Sequence, residues 1–315
     1  LKSKLDLAKL SKSVGINGLD FKGNLTASVK SQGEYNAEKK LFPITAGVIN
    51  LQNGEVKTEY YPNPITDIKF LASVKNETGN FKDVNIQLTP ASFVFEGNPV
   101  YVKMLLSNFD DVNYDIVAKG ELDIAKIYKV FKQKGLDVTG YAKADLSFKG
   151  KQSYATSGQI SKLQNKGSLI LRDIKTTSEL FPKPFLIKEG VFVFNQDKMN
   201  FNDFLAAYGQ SDFKMNGYLQ NVIDFVLTNK AVLKGNFQLH SDFINVDEFM
   251  TVSTVKADST KTNVVAQTGV VVIPPNFDLQ FNATANKINF DGLAIENLTG
   301  NLNINKGQLA LKQSG

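Results

Sequence analysis

The sequence contains no cysteine, no tryptophan and a single histidine, His240. These absences remove the usual ligand sets of zinc and iron–sulfur centres and any Cys- or His-based nucleophilic machinery. A cysteine-free chain fits a bacterial secreted or periplasmic protein without disulfides, although many cytosolic chains share that trait. Long apolar runs are also missing. Residues 1–17 hold no continuous apolar stretch, so neither a signal peptide nor a spanning helix is written there. The first residue is Leu1 rather than Met, and Gln313-Ser314-Gly315 closes no element. The sequence therefore reads as a piece of something longer, with any membrane anchor outside it. The net charge of +5 is mild and evenly spread, which suits ordinary solubility.

What is present is alternation. Residues 18–33 read GLDFKGNLTASVKSQG and residues 135–150 read GLDVTGYAKADLSFKG. Both phrases place glycine first, sixth and sixteenth. In the first, Leu19, Phe21, Leu25, Ala27 and Val29 share one parity and Asp20, Lys22, Asn24 and Lys30 the other. Period two specifies a strand with one apolar and one wet face. Gly23 and Gly140 fall within the apolar parity, where a bulge or bend is the usual reason. Similar runs recur: Ile68 to Val74 around Phe70, Val84 to Leu88 around Ile86, Val112 to Ala118, Phe213-Lys214-Met215, and Phe277 to Ala285 through Leu279 and Phe281. Asn53-Gly54, Thr78-Gly79-Asn80, Glu189-Gly190 and Lys306-Gly307 read as turns between them. Strand spacings of roughly 8–12 residues specify a mainly β, mostly antiparallel fold.

Three short helix starts interrupt the strands. Asp6 caps residues 5–10. Asp123 caps a helix with the stripe Ile124, Ile127, Tyr128 and Phe131, closing at Gly135. Asn245 caps a third start with Val246, Phe249 and Met250. The starts lie 117 and 122 residues apart, and YPNPI at 61–65 faces FPKPF at 181–185 at an offset of 120. The expected organisation is a tandem array: a first β unit at 1–117, a second at 118–250, a polar mobile loop at 251–268, and the start of a further β region at 269–315.

The magnitudes bear on function. About 20 strands at about 4.8 Å spacing give a sheet on the order of 100 Å long. A ten-residue helix is about 15 Å long and covers two or three strands. Three such helices leave most of the apolar face bare, and bare patches above a few hundred Å² are rare unless they bind something. The expectation is a long, curved sheet forming an elongated apolar groove, with a closed sandwich as the alternative. The 23 phenylalanines suit an acyl ligand, and fill ordinary cores equally well. The candidate groove residues, chosen for parity and size, are Phe21, Leu25, Val29, Phe70, Val74, Ile86, Phe148, Phe213, Met215, Leu279, Phe281 and Phe290.

GLAIENLTGNLNINKGQLAL at 292–311 resembles the C-terminal strand-and-hairpin signature of the AsmA family, and VIPPNFDL at 272–279 resembles the stretch before it. Residues 120–250, with FPKPF, FNQDKM and the Asp-capped helix, look like AsmA-family proteins of Bacteroidota type. The resemblance implies a periplasmic protein held at the inner membrane by an anchor outside this sequence. It also implies a bridge-like lipid-transfer role in outer-membrane biogenesis, with phospholipid or another acyl lipid as partner. No catalytic motif comes with it. A structural or adhesive repeat protein with a closed core is the alternative.

No residue pattern points to an enzyme, a cofactor or a metal. Asp110-Asp111 reads as a turn before it reads as a carboxylate pair. His240 near Asp242 reads as a solvated strand histidine. Asp197-Lys198 reads as a hairpin turn. The wet-face lysines lack an aromatic platform on their parity, which argues against nucleic acid as a partner.

Overall fold

The computed structural model describes residues 2–9, 18–131, 139–178, 181–227, 231–249, 252–253, 266–267, 273 and 275–313. The expected helix closure at Gly135, Met250 and most of the loop at 251–268 lie outside these residues. The strands are β1 Lys2–Asp6, β2 Leu19–Gln32, β3 Ile44–Thr58, β4 Tyr61–Asn76, β5 Asn85–Phe95, β6 Asn98–Ser107, β7 Asn113–Asp123, β8 Thr139–Lys151, β9 Lys166–Ser178, β10 Phe181–Asn195, β11 Lys198–Tyr208, β12 Ser211–Gln220 and β13 Leu233–Asn245. Two short strands, β14 Val252–Ser253 and β15 Ala266–Gln267, pair only with each other. Then come β16 Phe277–Phe290, β17 Leu293–Asn305 and β18 Gln308–Gln313. The helices are α1 Ile124–Phe131, α2 Gln152–Thr156 and α3 Val222–Leu227.

The mainly β, mostly antiparallel expectation is met. Sixteen strands form one open sheet in chain order from β1 to β13 and then β16 to β18, so β1 and β18 are its edges and it is not a closed barrel. Most neighbours are consecutive, as short hairpins require. The exception is β13 beside β16, which run parallel with Leu233 opposite Phe277. By contact density the chain divides into two compact units. The first comprises Leu1–Gly135, Tyr141–Ile170 and Val193–Asp197, and the second Leu136–Gly140, Leu171–Phe192 and Lys198–Gly315.

Two expected turns are not turns. Asn53-Gly54 lies inside β3 and Glu189-Gly190 inside β10. Asn53 instead makes a bulge: its φ is +54° and the β3–β4 register slips between Leu51 and Gly54. The device recurs. Asp67, Asp173, Asp203 and Asn297 all have φ near +50° inside strands. In each case the inward-facing positions step by three rather than two, as in Ile65 to Ile68 and Phe201 to Phe204. Asn and Asp tolerate this left-handed conformation better than other side-chain-bearing residues, and a bulge bends the strand while keeping its apolar residues on one side.

The repeated glycine phrase belongs to the same device. Gly23 (φ +127°) packs on the backbone at Gln52, Asn53 and Gly54, and Gly140 (φ +114°) on Arg172 and Asp173. A Cβ at Gly140 would stand 2.5 Å from the Asp173 carbonyl oxygen, so a side chain there collides with the neighbouring bulge.

Two of the three expected helix starts carry their caps. Asp6 ends β1, and its Oδ1 accepts the N–H groups of Ala8 and Lys9 at 3.0 and 3.3 Å, so helix begins only at residue 7. Asp123 Oδ1 accepts the Lys126 N–H at 3.1 Å at the start of α1. After Asn245 the chain makes a 3₁₀ turn, Val246–Phe249, not an α-helix.

In the first unit α1 covers one end of the sheet. Val130, fully buried, packs with Val56, Ile65 and Phe95, and Leu19, Phe21, Tyr61, Leu122 and Ile127 close round them. Each such side chain, fully buried, contributes about 1.5–3 kcal/mol. In the second unit the core is aromatic. Phe201 stacks on Phe237 at 5.4 Å and Phe237 on Phe281 at 4.8 Å, while Phe249 lies on the buried Tyr208 at 4.7 Å.

Candidate functional site

Directly opposed residues on paired strands share a face, so the registers trace the apolar surface strand by strand. In the first unit one row runs Leu25, Leu51, Phe70, Ala91, Val102, Ala118. The next runs Ala27, Ile49, Ala72, Leu88, Met104, Ile116 and reaches Phe148 on β8. A third runs Val29, Gly47, Val74, Ile86, Leu106, Tyr114. Leu25, Val29, Phe70, Val74, Ile86 and Phe148 are thus brought onto one face. Phe21 sits opposite Val56, under the part of that face that α1 covers.

Coverage differs along the face. Beneath α1 the side chains are buried. In the three rows most are half-buried, and Ile49, inside the second row, is 37% exposed. Phe148 is buried and meets the Phe194 ring at 4.8 Å.

In the second unit Met215 lies opposite Leu239, and Leu239 opposite Ala283. Phe237 faces Phe281, which faces Leu302, and Leu279 faces Ile304. Phe213 contacts Phe249 at 6.2 Å. Leu309 and Leu311 on β18 carry the face to the sheet edge, where both are about half exposed. Phe290 has the opposite parity from Leu279 and Phe281 but the same parity as the buried Ile288. Inward-facing positions change parity between Ala285 and Ile288, beside the left-handed Asn297, and Phe290 ends its strand opposite Leu293 in a hairpin tip. There it is 44% exposed.

The α1-covered end is held by a polar cluster that parity could not show. Glu96, in the β5–β6 turn, accepts from the Lys126 ammonium at 2.7 Å, from Asn63 Nδ2 at 3.1 Å and from the Tyr61 hydroxyl. The Lys126 hydrogen bond, then that of Tyr61, lowers the Glu96 carboxyl to about 2 from its ordinary 4.5. The same contact raises Lys126.

The remaining candidates have ordinary partners. Asp110 pairs with Lys40 at 3.0 Å. Asp111 pairs with Lys151 at 2.6 Å and accepts the Ser153 N–H at 2.9 Å, so the pair stands in the β6–β7 turn. His240 is exposed, its Nδ1 3.0 Å from Thr284 Oγ1 and its Nε2 3.5 Å from Asp242. Asp197 stands in the β10–β11 turn, and Lys198 lies over the Tyr218 ring at 4.3 Å. Tyr218 and Tyr101 both stand on polar faces beside lysines, a placement the sequence reading lacked. Among the described residues no cluster of three His, Cys, Asp or Glu could hold a metal, and no helix is long and apolar enough to cross a membrane.

Shallow depressions open on the polar faces, among them one of about 660 Å³ beside Lys30, Gln32, Lys75 and Glu77. Another, of about 420 Å³, is lined by Gln52, Asp67, Lys69, Ser92 and Tyr101. A further one, of about 620 Å³, is lined by Lys214, Asn216, Gln238, His240, Asn282, Thr284 and Asn301. No family model, no curated protein and no solved structure matches this chain.

Proposed function

We propose that the chain is a non-enzymatic lipid-handling protein whose apolar sheet face carries the acyl chains of a phospholipid or similar lipid. The observation that carries this is the set of three apolar rows in the first unit: side chains from seven strands share one face, and Ile49 among them is 37% exposed. An acyl chain laid on that face buries apolar area at about 25 cal/mol per Å², which offsets much of the cost of leaving a bilayer. The rows are chemically alike from strand to strand, so neighbouring positions would bind with similar strength and allow sliding. No proton or electron transfer is involved.

With this goes the setting that the AsmA-like motifs suggest: the periplasm, an inner-membrane anchor outside this sequence, and outer-membrane biogenesis.

The test is native mass spectrometry of protein purified in mild detergents. Phospholipid adducts are expected, and Phe70→Glu and Phe281→Glu should diminish them. A protein that carries no lipid in any of the detergents, or adducts indifferent to both substitutions, would refute the proposal.

A further inference from the structure

The polar face of the second unit is built differently from that of the first. In the first unit, charge pairs cross the strands: Lys22–Glu55, Lys103–Asp115 and Lys119–Asp145. In the second unit one such pair, Lys214–Asp203 at 3.7 Å, stands at the flank, and the cross-strand row Asn200, Tyr218, Asn236, Gln280, Asn303 lies beside the row Asn216, Gln238, Asn282, Asn301. The two rows hold eight amides, one tyrosine and no charged residue. Asn216 Oδ1 accepts the Asp203 N–H at 2.7 Å, and Asn236 donates to Gln280 at 3.4 Å. Gln238, Asn282 and Asn301 make no side-chain hydrogen bond with the described residues. These three line the depression of about 620 Å³.

The chemistry of that surface is selective. An amide presents two N–H donors and an acceptor oxygen, and a hydroxyl both donates and accepts, so one amide can serve two adjacent hydroxyls. Amides give up water at far lower cost than carboxylates or ammonium groups. The two rows carry no charge of their own, and Lys214 at the rim of the depression is offset by Asp203, so an ionic ligand gains little there. Strands about 4.8 Å apart repeat the amides at a regular interval, which suits an extended ligand lying across them.

We propose that this amide face binds a neutral oligosaccharide, laid across β12, β13, β16 and β17, with Gln238, Asn282 and Asn301 bonding its hydroxyls. The face is opposite the apolar one, so the proposal does not depend on the lipid reading.

The test is affinity electrophoresis of the full chain in native gels containing dextran, mannan or a soluble β-glucan, with alginate as an anionic control. At least one neutral polysaccharide should retard the protein. The double variant N282A/N301A should lose about tenfold in affinity, as expected for removing two ligand hydrogen bonds of ordinary strength. Both sites are exposed, and N282S/N301S provides a second variant with little change in packing. Leu311→Glu, half-exposed on the other face, should leave retardation unchanged. The proposal is overturned if no neutral polysaccharide retards the protein, if alginate alone does so, or if both double variants bind as tightly as the parent.

Discussion

Replacing Ile49 by Glu and Val130 by Asp separates an open apolar face from a closed core. Both residues are apolar and in the first unit. Val130 is fully buried against Val56, Ile65 and Phe95, whereas Ile49 is 37% exposed. A fully buried isoleucine contributes about 1.5–3 kcal/mol, and roughly two-thirds of that is at stake at Ile49. Ile49→Glu can keep its carboxylate in water, so its cost should stay near 1–2 kcal/mol. Val130→Asp loses its own burial and also leaves a carboxylate with no partner among the apolar side chains. That adds several kcal/mol, a large share of a typical domain's stability of about 5–15 kcal/mol. Urea denaturation should show a small shift of midpoint for Ile49→Glu at unchanged slope, and a severely weakened or absent transition for Val130→Asp. Acidification should partly rescue Val130→Asp, because protonation removes the buried charge. If Ile49→Glu is as damaging as Val130→Asp, the face is covered in solution and the lipid proposal loses its footing.

The Glu96 cluster makes a pH prediction. Its carboxyl is lowered from 4.5 to about 2 in the folded chain, so its stabilisation is complete above the unfolded value and fades as pH falls from about 4.5 through about 2. Glu96→Gln should flatten that part of the stability–pH curve, and an unchanged curve would show that Lys126 and Tyr61 do not hold the group. At Gly140 the positive φ and the 2.5 Å approach to the Asp173 carbonyl oxygen make Gly140→Ala costly, by more than about 2 kcal/mol. Gly97→Ala, at φ +81° with nothing within 4 Å of the added Cβ, should cost only about 1 kcal/mol. Equal midpoints for the two in thermal melts would contradict the bulge argument. Phe237→Ala removes the ring between Phe201 and Phe281 and should cost about 3–5 kcal/mol by calorimetry. A cost under 1 kcal/mol would mean the aromatic stack is not a core.

The strands were legible because period two is a local property: β2 and β16 read directly from Leu19 to Val29 and from Phe277 to Ala285. Where parity broke, the reading went astray. Asn53-Gly54 has the composition of a hairpin turn, yet here the same left-handed preference is spent on a bulge within a strand of 15 residues. The pattern apolar–polar–Asx–apolar, as in Ile65-Thr66-Asp67-Ile68 and Phe201-Asn202-Asp203-Phe204, was available in the sequence and would have predicted the slips. Glu96 could not be found at all. Its partners Tyr61 and Lys126 lie 35 and 30 residues away in sequence, and only the pairing of β4 with β5 and the packing of α1 unite them.

Alternation tells which side chains share a face, and nothing about what lies over that face. The same rule that placed Phe70 and Ile49 together also placed Gln238, Asn282 and Asn301 together on the opposite parity, where polar residues draw no attention. A wet parity is expected to be polar, so only the kind of polarity carries information. Lysines crossing to glutamates or aspartates, as in the first unit, satisfy one another and need no ligand. Amides with neither charge nor partner are left with both donors and acceptors to offer. The two faces can therefore be separated by experiment: Leu311→Glu on β18 alters the apolar face, and N282A/N301A on β16 and β17 alters the amide face. If the apolar face serves acyl chains and the amide face serves hydroxyls, each substitution should abolish one binding and spare the other.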